Sequence, residues 1–448
     1  MRASAHCAAA GAEAAPNRRV RRYRERLLDA MFALCAQVGY PRLTVASLSA
    51  HAGVSTASFY ECFSDKEDCL AAACREAEAR VLKPAYVLAR RPAADPLRAC
   101  LASVLAACET DPDAADVLFL ASLAGGRRAH AERQRVLGAF EQALRPALDG
   151  PSGAQAHELP AAAVTGALLS LLARRSRVHA DGSLADLADE LASWANSYAR
   201  SRSTVGLAAL GPVFHGALSD PSFPACMPPA AAIPRGRHNI SSIRVAAAHR
   251  ARILHATAQV TLRRGYAAMR VKDIVAEAHV ARGVFYEHFA SKHEAFLATH
   301  DHATTELLRL CWRAYFEGES WPARVWRLMS ALSALTTQNP GFAHVCLLDS
   351  YAAGPSAIER TDRLRALAVG FFYEGYWARP HARPLPASWA DALVGATFEI
   401  IRRDLAGGQG VTPLARRTGQ LTFIALAPFT GPADAARSVA QLGGCPGR

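Results

Sequence analysis

The sequence predicts an all-α protein made of two tandem units, each a three-helix helix-turn-helix domain followed by a larger helical domain. The first observation is an internal repeat: the text of residues 24–70 returns without a gap at residues 250–296, 226 positions later. The second is that apolar residues in both copies recur every three or four positions, the spacing of one buried helix face. A repeat this long indicates duplication of a whole unit, since solenoid repeats are about 20–50 residues long.

The first copy begins with a helix that glycine and proline end. Its apolar stripe is Leu27, Leu28, Met31, Leu34 and Cys35. Gly39, Tyr40 and Pro41 follow, and they predict the end of this helix. Glycine tolerates the left-handed backbone of a helix end, and proline cannot continue the hydrogen-bond ladder.

Two shorter helices follow, separated by a four-residue turn. Their predicted N-caps are Thr44 and Ser55, whose hydroxyl groups can accept backbone hydrogen bonds, and Gly53 makes the turn. Their inward positions are Val45, Leu48, Ala52, Phe59 and Phe63. The second copy repeats the pattern of all three helices with Ile253, Leu254, Gly265, Val271, Ile274, Ala278, Phe285 and Phe289.

The start of each third helix is predicted to meet DNA, because a helix-turn-helix places that helix in the major groove. The residues there are small or polar: Thr56, Ala57 and Ser58 in the first copy, and Arg282, Gly283 and Val284 in the second. Arg282 can form a bidentate pair with guanine, whereas the first copy offers hydroxyl and methyl groups. We therefore expect the two copies to prefer different bases.

Two further pairs of residues are predicted to contact DNA phosphates. Tyr60 and Tyr286 each follow an inward phenylalanine by one position, which turns them about 100° away from the core face. The alternative is that they cover the edge of the core. Lys66 and Lys292 lie one turn beyond the third helix, where an ammonium group can contact the DNA backbone or remain a solvated surface charge.

The stretch from Thr44 to Lys66 resembles the DNA-binding domain of the TetR/AcrR family of bacterial transcriptional regulators, and Val271 to Lys292 is a second match. The resemblance implies an all-helical DNA-reading domain, followed by a larger helical domain that binds a small ligand and dimerises. It also implies that Thr44 and Ser55 belong to the DNA-binding site and that His288 contacts phosphate.

Each copy departs from the family pattern at two positions. The first has Cys62 in place of the phosphate-contacting histidine and Ala57 in place of a glycine. The second has His279 in place of the turn glycine and Ala281 in place of the capping serine. Histidine enters the left-handed backbone region more readily than most residues, so the turn is expected to survive. Loss of the cap costs roughly 1 kcal/mol.

The duplication continues beyond the helix-turn-helix domains. Asp111 and Pro112 correspond to Asn339 and Pro340, and the pair at 166–167 corresponds to the pair at 395–396. The predicted division of the chain is a disordered basic arm (1–20), a first helix-turn-helix domain (21–70), a first helical regulatory domain (71–202), a linker (203–245), a second helix-turn-helix domain (246–296), a second helical regulatory domain (297–432) and a flexible tail (433–448).

The predicted linker is rich in proline, glycine and serine and lacks sustained periodicity. If about 40 residues behave as a flexible coil, their r.m.s. span is on the order of 35 Å. This span resembles the distance of about 34–36 Å between operator half-sites one DNA turn apart. One chain could therefore present two DNA-reading domains to one operator.

The composition is typical of a protein that binds nucleic acid. The net charge is +12, and arginines crowd the start of the first copy at positions 18, 19, 21, 22, 24 and 26. Such an arm can follow the DNA backbone or a minor groove, and a solubilising tail is the alternative. A smaller basic group, Arg235, Arg237 and Arg244, precedes the second copy.

Other classes of protein have no support in the sequence. The eleven cysteines have neither CxxC nor Cys/His ligand spacing, which argues against a metal site and a disulfide framework. We find no nucleophile elbow, phosphate loop or catalytic pair, and therefore expect no enzyme activity and no cofactor. We expect neither a secretion signal nor a membrane span, and hence a cytoplasmic protein.

The helices predicted near 161–175 and 184–198, with counterparts near 389–403 and 412–426, can form a bundle interface. The resemblance implies that the last two helices of each unit make the dimer. Two assemblies remain open: an intramolecular pseudo-dimer and a homodimer with four DNA-reading domains. The aromatic residues Trp312, Trp326, Phe371, Phe372, Tyr373, Tyr376 and Trp377 are expected to pack in the core, with a ligand cavity as the alternative.

The sequence thus predicts a sequence-specific DNA-binding transcriptional regulator, most simply a ligand-responsive repressor. Its partners would be a double-stranded DNA operator and a small-molecule effector of unknown class. The alternative is a ligand-binding or protein-interaction module in which one or both DNA-reading domains have degenerated.

Overall fold

A computed structural model describes residues 18–91, 93–149, 155–157, 159–178, 184–201, 241–378, 385–406 and 418–443. The predicted basic arm lies outside these residues up to position 17, and so does the predicted linker from 203 to 240. Helices account for nearly all of the described chain, which confirms the all-α fold of two tandem units. Within it, two three-residue strands, β1 (Gln155–His157) and β2 (Ala199–Ser201), pair antiparallel.

Within its described residues, the first unit contains eleven α-helices. They are α1 (Arg18–Val38), α2 (Val45–Ala52), α3 (Thr56–Cys62), α4 (Lys66–Ala77), α5 (Lys83–Leu88), α6 (Pro96–Thr110), α7 (Pro112–Asp116), α8 (Ser122–Ala124), α9 (Arg127–Asp149), α10 (Ala161–Val178) and α11 (Leu184–Asn196). A 3-10 turn (Tyr40–Arg42) follows α1, and π-helical segments join α4 to α5 (Glu78–Leu82) and α7 to α8 (Val117–Ala121).

The second unit repeats this order. Its helices are α12 (Ser242–Ala268), α13 (Val271–Ala278), α14 (Arg282–His288), α15 (Lys292–Phe316), α16 (Trp321–Gln338), α17 (Pro340–Leu347), α18 (Ser350–Ala353), α19 (Pro355–Ala368), α20 (Ser388–Ala406), α21 (Thr418–Thr430) and α22 (Pro432–Gly443). A 3-10 segment (Val369–Trp377) follows α19.

Three predicted segments differ from the structure where the described residues begin or end. Residues 18–20, placed in a disordered arm, already belong to α1, and residues 242–245, placed in the linker, belong to α12. The predicted flexible tail begins with a helix, α22, because Ala435, Ala436 and Val439 form an apolar stripe that is buried. Burial of this stripe holds the segment against the second unit.

Residues with positive φ end the helices where the sequence predicted. Gly39 and Gly265 have φ values of 78° and 72° and terminate the helical part of α1 and α12. Gly53 and His279 occupy the left-handed region at the end of α2 and α13, with φ values of 60° and 51°. The expectation that a histidine could make this turn is confirmed, and His279 carries the strain that glycine avoids.

The two units pack against each other within the chain, chiefly through α10 and α20. These helices cross at Gly166 and Gly395, which occupy equivalent positions in the two units. A Cβ atom at Gly166 would lie 2.5 Å from the carbonyl oxygen of Gly395, and one at Gly395 would lie 2.4 Å from that of Gly166. The close approach of the two backbones therefore requires glycine on both sides.

A buried cluster of charges lies beside this crossing. Arg133 of α9 donates two hydrogen bonds to the carboxylate of Glu399 on α20, at 3.2 and 3.3 Å, and both side chains are at most 1 % exposed. Glu399 also pairs with Arg402 and Arg403. Arg403 reaches back to Glu141 of α9. The cluster thus joins the units through three arginines and two glutamates.

The last helices of the units meet in the same interface. The buried hydroxyl of Tyr198, which follows α11, donates a 2.8 Å hydrogen bond to the carbonyl of Ile424 in α21. The Tyr198 ring also packs against Phe423. Among the described helices, none is long and apolar enough to cross a lipid bilayer.

Candidate nucleic-acid interface and ligand cavity

Local hydrogen bonds build the first helix-turn-helix. The Thr44 hydroxyl accepts from the backbone N–H of Ser47 at 3.0 Å, and the Ser47 hydroxyl accepts from the N–H of Thr44 at 3.0 Å. The Ser55 hydroxyl accepts from the N–H of Ser58 at 3.0 Å. The two predicted caps are confirmed. These bonds fix the start of α2 and α3, so the hydroxyl groups of Thr44 and Ser55 first serve the fold.

The second helix-turn-helix reaches the same geometry with fewer caps. The Asp273 carboxylate accepts from the N–H of Arg270 at 3.0 Å at the start of α13. Ala281, at the start of α14, provides no side-chain cap, as the sequence predicted. The missing hydrogen bond leaves α14 less firmly anchored than α3.

Most of the predicted DNA-facing residues lie on the exposed faces of α3 and α14. Thr56, Ala57, Arg282 and Gly283 are exposed, and Val284 is half-buried. Ser58 departs from the prediction: it is buried, and its Oγ accepts a 3.0 Å hydrogen bond from the Ser55 hydroxyl. The prediction that Ser58 faces the groove is wrong, since its place on the helix puts it beside the cap.

The two predicted phosphate-contacting tyrosines lie at the surface. Tyr60 is 60 % exposed and Tyr286 is 46 % exposed. Each ring packs edge-on against the preceding phenylalanine, at centroid distances of 5.5 and 5.4 Å. The Arg282 guanidinium lies 5.6 Å from the Tyr286 ring centroid and donates to its hydroxyl at 3.4 Å. Arg282 is therefore partly ordered before any DNA is met.

Lys66 and Lys292 do not point outward, contrary to both interpretations of the sequence. The Lys66 ammonium donates to the carbonyls of Tyr40, at 3.3 Å, and Leu43, at 2.8 Å. Lys292 makes the same contacts with the carbonyls of Tyr266 and Met269, at 3.1 and 3.0 Å. Burial lowers the pKa of both lysines. They tie α4 and α15 to the end of the first helix of each copy.

Two arginines of each copy have structural roles that sequence reasoning missed. Arg26 donates to the Gly53 carbonyl at 3.1 Å, and Arg252 donates to the His279 carbonyl at 2.9 Å. Arg24 lies over the Phe63 ring, and Arg250 lies over the equivalent ring of the second copy. The signal was available, because arginine occupies both positions in both copies.

Cys62 and His288 occupy equivalent positions in the two copies but have different surroundings. His288 is half-buried, and desolvation together with the nearby His249 and Arg250 lowers its pKa. Its ring is thus mostly neutral near neutral pH, and it can donate a hydrogen bond but carries little charge. The thiol of Cys62 instead contacts the carbonyl oxygen of Val20 at 3.6 Å within its own domain.

The two DNA-reading domains are joined to their regulatory domains by different contacts. In the second unit, Asp349 accepts from the backbone N–H of Tyr266 at 2.7 Å. In the first unit, Glu67 accepts from the N–H of Arg128 at 2.6 Å, and the Arg128 side chain contacts Asp65 at 2.5 Å. The connection between the DNA-reading domain and the larger helical domain therefore differs between the two units.

A cavity of about 400 Å³ lies in the first regulatory domain and opens onto the second. Its apolar wall is formed by Phe119, Leu120, Leu123, Leu169, Leu172 and Leu184. Glu109 and Asp116 line it from the first unit, and Tyr351, Arg365 and Arg402 line it from the second. A ligand in this cavity would touch both units at once.

Only part of the aromatic cluster of the second unit packs in the core: Trp326, Phe371 and Phe372 are buried, whereas Trp312 and Tyr376 are half-buried. Trp312 and Phe371 lie 4.2 Å apart between ring centroids, and Phe371 and Phe372 are buried. The cavity they border is small, about 50 Å³. Tyr373 and Trp377 are exposed, so the cluster does not enclose a second large cavity. The described residues contain no group of three or more side chains placed to hold a metal ion.

Asp116 gives a pH-dependent prediction. Desolvation, with a contribution from Asp113, raises its pKa from 3.8 to about 6. A carboxyl group whose pKa is higher in the folded state favours folding below its unfolded pKa, and this contribution is lost as the pH rises through 6. Replacing Asp116 by asparagine should therefore raise the free energy of unfolding near pH 8 by about 1–3 kcal/mol. The gain should shrink near pH 5.

Urea unfolding of both proteins at the two pH values, followed by circular dichroism, measures this difference. A gain of equal size near pH 5 and near pH 8 would contradict it, since packing alone would then explain the change.

Comparison with known proteins agrees with this geometry. The family model described as bacterial regulatory proteins, tetR family, matches residues 27–73 and again residues 253–299. The two matches cover both helix-turn-helix domains. The chain therefore carries two DNA-binding domains of the tetR family in tandem. It is a DNA-binding transcriptional regulator.

Several solved structures align with about two fifths of the chain. The regulator FadR from Bacillus subtilis, in complex with stearoyl-CoA, is 16 % identical with a TM-score of 0.36, and 40 % of this chain aligns with 97 % of that one. A TetR family regulator from Marinobacter aquaeolei VT8 is 18 % identical (TM-score 0.34; 43 % and 97 % covered). A gamma-butyrolactone receptor, described as ArpA-like, is 22 % identical (TM-score 0.34; 44 % and 98 % covered). A comparison with curated protein sequences gives no match.

Proposed function

We propose that the protein is a ligand-responsive repressor that binds one operator through both DNA-reading domains of a single chain. The observation that carries the proposal is the packing of α10 against α20, which joins the two units inside one molecule. The resemblance assigns dimerisation to this region of each unit. One chain would then be a pseudo-dimer, with a pseudo-twofold axis near the Gly166–Gly395 crossing.

The cavity supports the response to a ligand. It is bordered by both units, so a bound molecule would change how the two regulatory domains pack. Tyr351 lines the cavity two residues after Asp349, which holds the backbone of Tyr266 at the end of the first helix of the second DNA-reading domain. A ligand that prefers one position of α18 would therefore shift the second DNA-reading domain between arrangements that bind DNA and arrangements that do not.

Selection of bound fragments from genomic DNA tests the function. The full chain should recover one recurring site composed of two unlike half-sites, with guanine enriched in only one of them, because Arg282 has no counterpart in the first unit. Recovery of no recurring sequence would instead favour the interaction module. Two equal, inverted half-sites would contradict the asymmetric reading.

The mass of the purified protein tests the assembly. Multi-angle light scattering at micromolar concentration should give a value near the 47.8 kDa of one chain. A value near twice that mass would favour a homodimer with four DNA-reading domains and reject the intramolecular pair.

Tyr60 and Tyr286 give a prediction about phosphate contacts. Replacing both by phenylalanine removes two exposed hydroxyl groups and leaves the edge-on ring packing in place. We expect affinity for the selected operator and for unrelated DNA to fall by a similar factor, about 5- to 10-fold at fixed salt. Fluorescence anisotropy with labelled duplexes measures both affinities.

The matched control for this pair is Tyr373→Phe, which removes an exposed hydroxyl from the regulatory domain. This variant should bind DNA like the parent. If the double variant also retained the parent affinity, the tyrosines would only cover the core edge.

A further inference from the structure

The charged residues of the cavity are divided between its two ends. The first unit contributes the carboxyl groups of Glu109 and Asp116, and the second unit contributes the guanidinium groups of Arg365 and Arg402. Leucine side chains of the first unit form the wall. The occupant that fits is therefore amphipathic, and the charge of its polar group depends on which end is free to bind it.

The basic end has hydrogen-bond donors without partners. Arg402 is 3 % exposed, and neither its Nε nor the buried Nε of Arg365 has a hydrogen-bond partner among the described residues. A buried donor without an acceptor keeps its full desolvation penalty. A ligand carboxylate or phosphate in the cavity would accept charge-assisted hydrogen bonds from these guanidinium groups, in addition to the ion pairs of Arg402 with Glu399 and of Arg365 with Asp362.

The charge balance of the interior also favours an anion. The buried cluster around Glu399 contains three arginines, Arg133, Arg402 and Arg403, against the two carboxylates of Glu141 and Glu399. Within these ion pairs the guanidinium groups outnumber the carboxylates by one. Excess buried charge is unfavourable unless it is neutralised, and an anionic group next to Arg402 would neutralise it.

The acidic end is less able to hold a cation. The Glu109 carboxylate already accepts the backbone N–H of Leu184 at 3.1 Å and is exposed to solvent. The raised pKa of Asp116 means that its uncharged form is readily reached. In that form it can donate a hydrogen bond to a polar group on the ligand.

The second unit has less space at the corresponding position. Its corresponding cavity is about 50 Å³ and is bordered by Phe342 and Phe398. The first unit has Ala114 and Leu169 at the equivalent positions, counting from the matched segments of the two regulatory domains. Smaller side chains thus leave the cavity open on one side of the molecule.

We propose that this cavity binds one amphipathic organic anion per chain, with its acid group against Arg365 and Arg402 and its apolar body against the leucines of the first unit. The second unit of the same chain therefore completes the ligand site. The regulatory consequence rests on the proposed function, whereas the binding itself does not.

Isothermal titration calorimetry of the full chain without DNA tests the site with three probes of one shape: octanoate, octanol and octylammonium. Octanoate should bind once per chain and at least about tenfold more tightly than the other two, because only it accepts charge-assisted hydrogen bonds. Octylammonium binding as tightly as octanoate, two octanoate sites per chain, or no octanoate binding at millimolar concentration would each overturn the proposal.

Two variants locate the site. Arg365→Gln should weaken octanoate about tenfold and leave octanol unchanged, whereas Arg363→Gln, an exposed residue of the same helix paired with Glu359, should change neither. Leu169→Phe introduces the residue that the second unit has at the equivalent position, and it should abolish octanoate binding without lowering thermal stability. This variant tests the site if Arg365→Gln does not fold. Unchanged octanoate affinity in either folded variant rejects the site.

The two proposals fail separately. If octanoate binds as described but leaves operator affinity unchanged, the ligand response is wrong and the anion site stands. If octanoate does not bind but another small molecule releases the operator, the anion cavity is rejected and the ligand response stands.

Discussion

Replacing Glu399 by glutamine is expected to lower the free energy of unfolding by about 3–5 kcal/mol, the cost of leaving buried charges without their partner. The side chain is fully buried and pairs with Arg133, Arg402 and Arg403. Burial alone would raise the pKa of Glu399, but the three guanidinium groups hold it well below its usual range. Its contribution is therefore present above about pH 4.5 and is lost as the pH falls further.

Arg133→Met is the informative comparison, because it leaves the cluster with two arginines and two glutamates. We expect it to cost less than Glu399→Gln, although it removes the other half of the same ion pair. Glu359→Gln, which breaks an exposed pair with Arg363, should cost under about 0.5 kcal/mol. Denaturant unfolding near pH 7 ranks the three variants. A larger loss for Arg133→Met would show that excess positive charge is not the controlling factor.

The helix-turn-helix domains could be predicted closely because their determinants are local. The hydroxyl groups of Thr44 and Ser55 accept from backbone N–H groups three residues further along the chain. Gly39 and Gly265 end helices through their own backbone conformation. His279 was recognisable because it occupies the place of Gly53 in the repeat. Such features depend on spacing along the chain, and spacing is what a sequence displays.

The roles of the lysines and of Ser58 could not be predicted in the same way. Whether Lys66 points to solvent depends on where the carbonyls of Tyr40 and Leu43 lie, and the three-dimensional packing of α4 against the end of α1 decides this. Ser58 is turned inward by the cap at Ser55. The direction of Lys66 thus follows from neighbours that are distant in sequence, whereas that of Ser58 follows from a local cap.

The pairing of the two units could be predicted from the sequence only in part. The helices near 161–198 and 389–426 could be named as an interface, and their contact within one chain is what the structure shows. The buried cluster could not be foreseen, because Arg133 and Glu399 are far apart in sequence and neither lies in a motif. The cavity also depends on this packing, since two of its basic residues come from the other unit.

Gly166 and Gly138 provide a pair of identical substitutions with opposite expected signs. Both lie inside helices, where alanine normally stabilises by about 0.5–1 kcal/mol relative to glycine. At Gly138 no atom lies within 4 Å of an added Cβ, so Gly138→Ala should raise the free energy of unfolding by that amount. At Gly166 the Cβ would lie 2.5 Å from the carbonyl oxygen of Gly395, a backbone atom that cannot rotate away.

Gly166→Ala should therefore lower the free energy of unfolding by about 1–3 kcal/mol, because the crossing helices must separate to admit one methyl group. Denaturant unfolding of both alanine variants gives the sign of each effect directly. Separation of the helices would also loosen the cavity, since Gly166 and Gly395 both line it, so octanoate affinity should fall in the same variant. If Gly166→Ala were as stabilising as Gly138→Ala, α10 and α20 would not be held in this crossing in solution, and the intramolecular pairing on which both proposals depend would be rejected.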